Sequence, residues 1–177
     1  VKLLLVMALY ANNGRELSPH HGFAAHTNVI RPVSRGSVRL ASANPLDAPL
    51  IDQNYLASAD DWRIARAAVR TAREVFAQKA FDALRGEELE PGPGIRSDAE
   101  IDAFIRARAE ADYHSVGTCR MGQDELAVVD ERLRVRGLDG LRVVDASVIP
   151  HMIGGNTGMP VIMIAEKAAD MIRNHQG

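Results

Sequence analysis

A single cysteine, Cys119, occurs among the 177 residues. One thiol cannot build an intrachain disulfide framework, and such sparing use fits a reducing compartment, so a cytoplasmic location is expected. Aromatic residues make up only 5% of the chain, too few for a base-stacking platform. Positive charge is not in excess: 21 Lys and Arg stand against 23 Asp and Glu, a formal net charge of -2. The cations are scattered, which excludes a basic field for nucleic acid and gives no indication of membrane association. The apolar run from Leu3 to Leu9 is far short of the ~20 residues that cross a bilayer. No G-x-S-x-G elbow is present, so a serine hydrolase has no footing.

What is present is globular in character. Hydrophobic residues make up 46% and charged residues 25% of a 19.2 kDa chain, and a domain of this size buries roughly 70% of its unfolded surface. The chain opens Val1-Lys2-Leu3 without Met, as if cut from something longer. Leu3 to Leu9 reads as a buried strand in preference to a signal-peptide core. Ala11-Asn12-Asn13-Gly14 reads as a turn. From Ser37 to Ser42, Val38 and Leu40 share one face and Ser37, Arg39 and Ala41 the other, the alternation of an antiparallel sheet with one solvated face. Asn44-Pro45 and Ala48-Pro49 mark a further loop.

The middle of the chain reads as helical. Ala65, Ala68, Val69, Ala72 and Phe76 recur at helical spacing, with arginines on a solvated face. Ser97-Asp98-Ala99-Glu100 has the form of a capping box ahead of Ile101, Phe104 and Ile105. Between them, Glu87 to Glu90 and Pro91-Gly92-Pro93-Gly94 form an acidic linker and a break. Farther on, Leu141-Arg142-Val143-Val144-Asp145 looks like a strand buried on both faces of a parallel sheet. Asn156-Thr157-Gly158 then opens the apolar stretch Met159 to Ile172. Thr157 is placed to cap that helix and Pro160 fits its first turn. Met159 to Ile164 is apolar all round, so a buried helix start is expected, aimed at a strand's carboxyl end.

Among the six histidines, His20, His21 and His26 cluster in a predicted loop and read as surface residues rather than metal ligands. His175 sits near the C-terminus, where a cation favours a helix end. His151 follows Pro150 in a loop and has no clear role. His114 lies in a glycine-containing segment that lets backbone approach a ligand. A neutral imidazole there suits proton abstraction from an alcohol, and it serves equally as a hydrogen-bonded structural residue. Cys119, five residues on, reads as an inert thiol rather than the nucleophile of a Cys/His pair.

Longer motifs then accumulate. His114-Ser115-Val116-Gly117-Thr118-Cys119-Arg120-Met121-Gly122, Val128-Val129-Asp130, and Leu133-Arg134-Val135-x-Gly137-x-x-Gly140 running on through Leu141 to Pro150 resemble the C-terminal end of the glucose-methanol-choline (GMC) flavin oxidoreductases. Gly155-Asn156-Thr157 and Ile164 to Ile172 extend the likeness. Upstream, Arg31 to Leu40 and Pro49-Leu50-Ile51-Asp52-x-Asn54-Tyr55-Leu56 resemble that family's substrate-domain segments. Within the family the resemblance is strongest to choline-dehydrogenase-like members. The resemblance implies oxidation of a small alcohol to a carbonyl compound with FAD as hydride acceptor. It implies His114 as the catalytic base and Asn156 as a second catalytic residue that hydrogen-bonds the substrate oxygen. It also implies cofactor contacts from the amides of Thr157 and Gly158 near the flavin N1 and C2 carbonyl, and from Asp145 and Ala146 near the ribityl-pyrophosphate stretch. Capping of a local loop is the alternative for Asp145.

One departure is plain. The G-x-G-x-x-G fingerprint that admits a dinucleotide pyrophosphate to a helix start is absent. The resemblance therefore implies a C-terminal portion whose N-terminal FAD-binding domain is missing, with residues 1–112 belonging to the substrate-binding domain and 113–177 to the FAD-binding domain. The expected fold class is α+β: an antiparallel sheet with flanking helices, plus the C-terminal strand and helix of an incomplete flavin domain. Alone, the chain is expected to bind FAD weakly or not at all, and its orphaned apolar faces to pack on the sheet or on another copy. A flavin-containing hydroxynitrile lyase of the same family and a non-catalytic folded module are the alternatives.

Overall fold

The structure, a computed structural model, describes residues 1–11 and 16–174. The predicted turn at Asn12-Asn13-Gly14 and the terminal His175 lie outside them. The backbone divides into two compact units: Val1–Ser34 with Tyr55–Asp112, and Arg35–Asn54 with Tyr113–Gly177.

In the first unit, β1 (Lys2–Val6) pairs antiparallel with β4 (Ala24–Asn28), placing Leu4 opposite His26, and the short β2 (Tyr10–Ala11) pairs with β3 (Glu16–Leu17). The apolar run does form a strand, but Leu4 and Leu5 are 49% and 47% exposed. Successive strand residues point to opposite faces, so a two-stranded ladder leaves both of its sides partly open. His26 is on a strand rather than in a loop, edge-on to Tyr10, and among the described residues no three His, Cys, Asp or Glu gather as metal ligands would.

Helix α1 (Ala59–Phe76) starts at Ser58, whose hydroxyl accepts from the Asp60 amide, and it buries Asp61, Ala65, Ala68 and Val69. Helix α2 (Asp98–Arg108) carries the full capping box: the Ser97 hydroxyl accepts from the Glu100 amide, and the Glu100 carboxylate accepts from the Ser97 amide at 2.8 Å. The core sits between them, where Ala65, Val69, Ile101 and Ile105 pack with Val29, Leu56, Trp62, Ile95 and Phe104. Phe23, Phe76 and Phe81 close the end of α1 edge to face.

The arginines of α1 are not simply a solvated face. Arg66 forks onto Asp102 at 2.6 and 2.9 Å, Arg70 pairs with Asp98, and Arg73 reaches Glu88 together with the carbonyls of Gly92 and Ile95. The acidic linker is thereby fastened to α1. Its glutamate answers a planar guanidinium that has five donors to satisfy.

In the second unit, β5 (Ser37–Arg39) pairs antiparallel with β6 (Leu50–Asp52), Val38 opposite Ile51. Gly36 is dictated by this turn of chain, since a Cβ there would stand 2.1 Å from the Asp52 carbonyl oxygen. The expected antiparallel sheet is, among the described residues, three two-stranded antiparallel ladders. The alternation expected from Ser37 to Ser42 is a strand only over Ser37–Arg39, and its apolar side is uncovered: Val38 is 48% exposed and Leu40, just past the strand, 84%.

Leu141 to Asp145 is also not a sheet strand. Arg142 makes an isolated antiparallel bridge to Arg134, Val135 N–H donates to Leu141 O, and Val143 N–H to Leu133 O. A tight return at Gly137 to Gly140 supplies these partners before any parallel neighbour is needed. Val143 and Val144 still pack against a second core of Val129, Leu133, Val148 and Ala168. Helix α3 (Gly158–Arg173) forms as expected, but its apolar start is open rather than buried, with Met159 and Met163 74% and 64% exposed. Only the side carrying Ile164 and Ala168 meets the core. Among the described residues, no helix is long and apolar enough to cross a membrane.

Candidate active site

Every residue in this site belongs to the second unit. The segment after His114 is tied by its backbone to the segment before Asn156. Cys119 N–H donates to Ser147 O at 3.0 Å and Met121 N–H to Val148 O at 2.9 Å. Gly117, at φ 93°, turns the chain where an added Cβ would face the Ile149 and Pro150 carbonyls, a left-handed conformation that glycine adopts at no steric cost. Running alongside residues 147–150, the segment delivers His114 to the start of α3.

There His114 Nδ1 lies 2.9 Å from Thr157 Oγ1 and 3.4 Å from the Thr157 amide nitrogen, across 43 residues of sequence. His114 is half-buried and Thr157 only 6% exposed. Thr157 is the residue before α3, but its side chain makes no capping hydrogen bond and its backbone is already helical at φ -88°, ψ -11°. This corrects the expectation that Thr157 caps the helix: the hydroxyl is spent on an imidazole. Asn156, exposed, is the adjacent residue. Nothing in the spacing of the sequence pointed to the Thr157 hydroxyl as the partner of His114. Tyr113, immediately before the histidine, is 86% exposed and held at φ 58°, a conformation rare for a bulky side chain.

Asp145 takes the local role. It heads the single-turn helix Ala146–Val148, and its Oδ1 accepts from the Ser147 amide at 2.8 Å and from the Ser147 hydroxyl at 2.5 Å. Cys119 is half-buried, and its backbone, not its thiol, joins the site. His151 meets the Arg35 guanidinium at 3.5 Å on the surface. Arg120 and Asp124 form a charge-assisted pair beside the same segment; the guanidinium, with help from the Leu126 amide, holds the Asp124 carboxyl down at about 2.

The residues present fit one end of a flavin dinucleotide. A Cβ built at Gly155 or Gly158 would meet nothing within 4 Å, and Gly158 opens α3, where first-turn amides have no intrahelical acceptor. An acceptor-bearing ring edge has both room and donors there. For the phosphates the chain offers no glycine fingerprint. A concavity of about 310 Å³ lined by Arg132, Lys167, Asp170, Met171 and Asn174 takes in none of these residues.

Comparison with known proteins gives the chain its family. The GMC oxidoreductase C-terminal family model matches residues 32–165. An oxygen-dependent choline dehydrogenase from Burkholderia orbicola is 54% identical over 164 residues, which are 93% of this chain and 29% of that protein. One from Paraburkholderia phymatum is 53% identical over 161 residues, 91% of this chain and 28% of its own. Among solved structures, pyridoxine 4-oxidase from Mesorbium loti superposes with a TM-score of 0.76 at 38% identity, covering 84% of this chain and 28% of that one. A formate oxidase from Aspergillus oryzae RIB40, in a structure concerned with FAD modification, gives a TM-score of 0.83 at 31% identity over 91% and 29%. The chain thus spans under a third of the length of the relatives it matches, and with a family model covering most of its residues it belongs to the GMC oxidoreductases, as a C-terminal, choline-dehydrogenase-like portion of that family.

Proposed function

We propose that this chain is the catalytic C-terminal portion of an FAD-dependent enzyme that oxidises an alcohol to an aldehyde or ketone, its missing partner being an N-terminal FAD-binding domain. Residues 1–112 then serve the substrate-binding domain and residues 113–177 the flavin domain. The observation that carries the reading is the meeting of His114 with the residue that follows Asn156. When bound, FAD supplies the acceptor for the hydride that leaves the carbinol carbon. His114 accepts the hydroxyl proton at Nε2, the ring nitrogen not engaged by Thr157. The Asn156 carboxamide donates to the substrate oxygen and orients it; an amide has no usable proton affinity, so proton acceptance falls to the imidazole. The Gly158 amide, at the positive end of α3, would hold the acceptor edge of the ring, and the backbone around Asp145 and Ala146 would flank the ribityl stretch.

A positioned base of this kind is worth about 10²–10⁴-fold. With the flavin domain supplied in the same polypeptide, choline and benzyl alcohol as trial substrates should bleach the flavin under anaerobic conditions. His114→Ala should slow that bleaching by about 10²-fold or more with FAD content unchanged, and Asn156→Ala should slow it less. An unaltered rate in His114→Ala removes the imidazole from the mechanism. A wild-type protein that turns over cyanohydrins without any bleaching is a lyase.

A further inference from the structure

A neutral imidazole carries one proton, and the nitrogen that holds it decides whether the other can act as a base. For His114 that choice is made at Nδ1, which faces two groups of the same residue: the Thr157 hydroxyl at 2.9 Å and the Thr157 amide at 3.4 Å. The two pull in opposite directions. An amide can only donate, so it favours a lone pair on Nδ1 and the proton on Nε2, which would leave Nε2 unable to accept. A hydroxyl turns to suit and can accept from Nδ1–H, leaving Nε2 its lone pair. The hydroxyl stands at 2.9 Å, while the amide hydrogen, also aimed at Nδ1, comes from a nitrogen at 3.4 Å and makes the longer and weaker contact. Thr157 is buried, so bulk water does not stand in for the hydroxyl once it is removed.

We propose that Thr157 is a positioning residue that sets the tautomer of His114: its hydroxyl accepts from Nδ1–H and keeps Nε2 free to take a proton. The hydroxyl also accepts from Nδ1–H in the imidazolium, so the contact persists without rearrangement as the proton arrives. The role rests on the reading of His114 as proton acceptor, but it is a property of this chain's own residues and is measurable without cofactor or substrate.

The test is a long-range ¹H–¹⁵N correlation spectrum of the uniformly labelled 177-residue chain, recorded about two pH units above the ordinary imidazole pKa of ~6.5, with His114→Gln to assign the ring. In the parent chain His114 Nδ1 should resonate as the protonated nitrogen and Nε2 as the unprotonated one, with a ratio of about ten to one, as expected of one neutral hydrogen bond. Thr157→Val keeps the shape and loses the hydroxyl, and should bring the ratio below one as the amide takes over. Thr157→Ser restores the hydroxyl and should restore the parent pattern. A parent spectrum with the proton on Nε2 overturns the proposal whether or not any variant folds, and so does a Thr157→Val spectrum matching the parent. The expected tautomers together with an unimpaired His114→Ala enzyme would sink the alcohol-oxidation reading and leave the tautomer assignment standing.

Discussion

Asp61 shows how one side chain can order a loop. It is 1% exposed, and its carboxylate accepts from the Val33 and Ser34 amides at 2.9 Å each and from the Ser34 hydroxyl. The same hydroxyl accepts from the Ser58 amide at 3.0 Å, so the loop at 33–34 is tied to the start of α1 through one anion. Removing the carboxylate strands these donors away from water, and a hydrogen bond to a charged group is worth about 1.5–3 kcal/mol. Asp61→Ala should therefore lower the unfolding free energy by about 3 kcal/mol in urea titrations; a loss under ~1 kcal/mol would mean that water replaces the contacts. Read from sequence, Asp61 is one of three consecutive polar or half-polar positions at a helix start and attracts no notice. Its importance comes from residues nearly thirty positions away.

At the scale of elements, α2 is the case where sequence and structure agree in detail. Ser97 and Glu100 are three apart, both within one turn, and the capping box they form needs no distant partner. The Arg96 and Ser97 amides, with the Ser97 hydroxyl, hold the Glu100 carboxyl down from its ordinary 4.5 to about 2. A carboxyl depressed on folding adds stability that is complete above its ordinary value and is lost as pH falls toward the folded one. Urea midpoints of the parent should therefore exceed those of Glu100→Gln at neutral pH, and the gap should close between pH 4.5 and about 2. A gap independent of pH would show that the charge is not what the amides recognise. By contrast, Leu141 to Asp145 has strand composition but no ladder on either side. An apolar run states only that a segment seeks cover, and the return at Gly137 to Gly140 provides cover locally.

Taken whole, the chain exposes 12657 Å². Apolar side chains stand open at Val38, Leu50 and Ile51 on β5 and β6, at Leu40 just past β5, and at Met159, Ile162 and Met163 on α3. Two outcomes follow for the purified chain. FAD titration followed by flavin fluorescence should give weak binding or none, because no glycine fingerprint is present to take the phosphates; a stoichiometric yellow cofactor surviving gel filtration would contradict this. Apparent mass in light scattering should rise with concentration, and Ile162→Lys with Met163→Glu should suppress the rise.

What this sequence determined by itself was local or linear: the helical spacing of α1, the capping box of α2, and the ordered motifs that mark its family along most of its length. Those features depend on residues within a turn or two of each other, or on order along the chain, and both are visible without folding. Which apolar faces found cover was decided only in three dimensions, as was the Thr157 hydroxyl's choice of an imidazole over a helix cap. Each of these turned on a partner brought from tens of residues away, because a hydrogen bond or a buried contact is settled by distance in space, which spacing in sequence does not record.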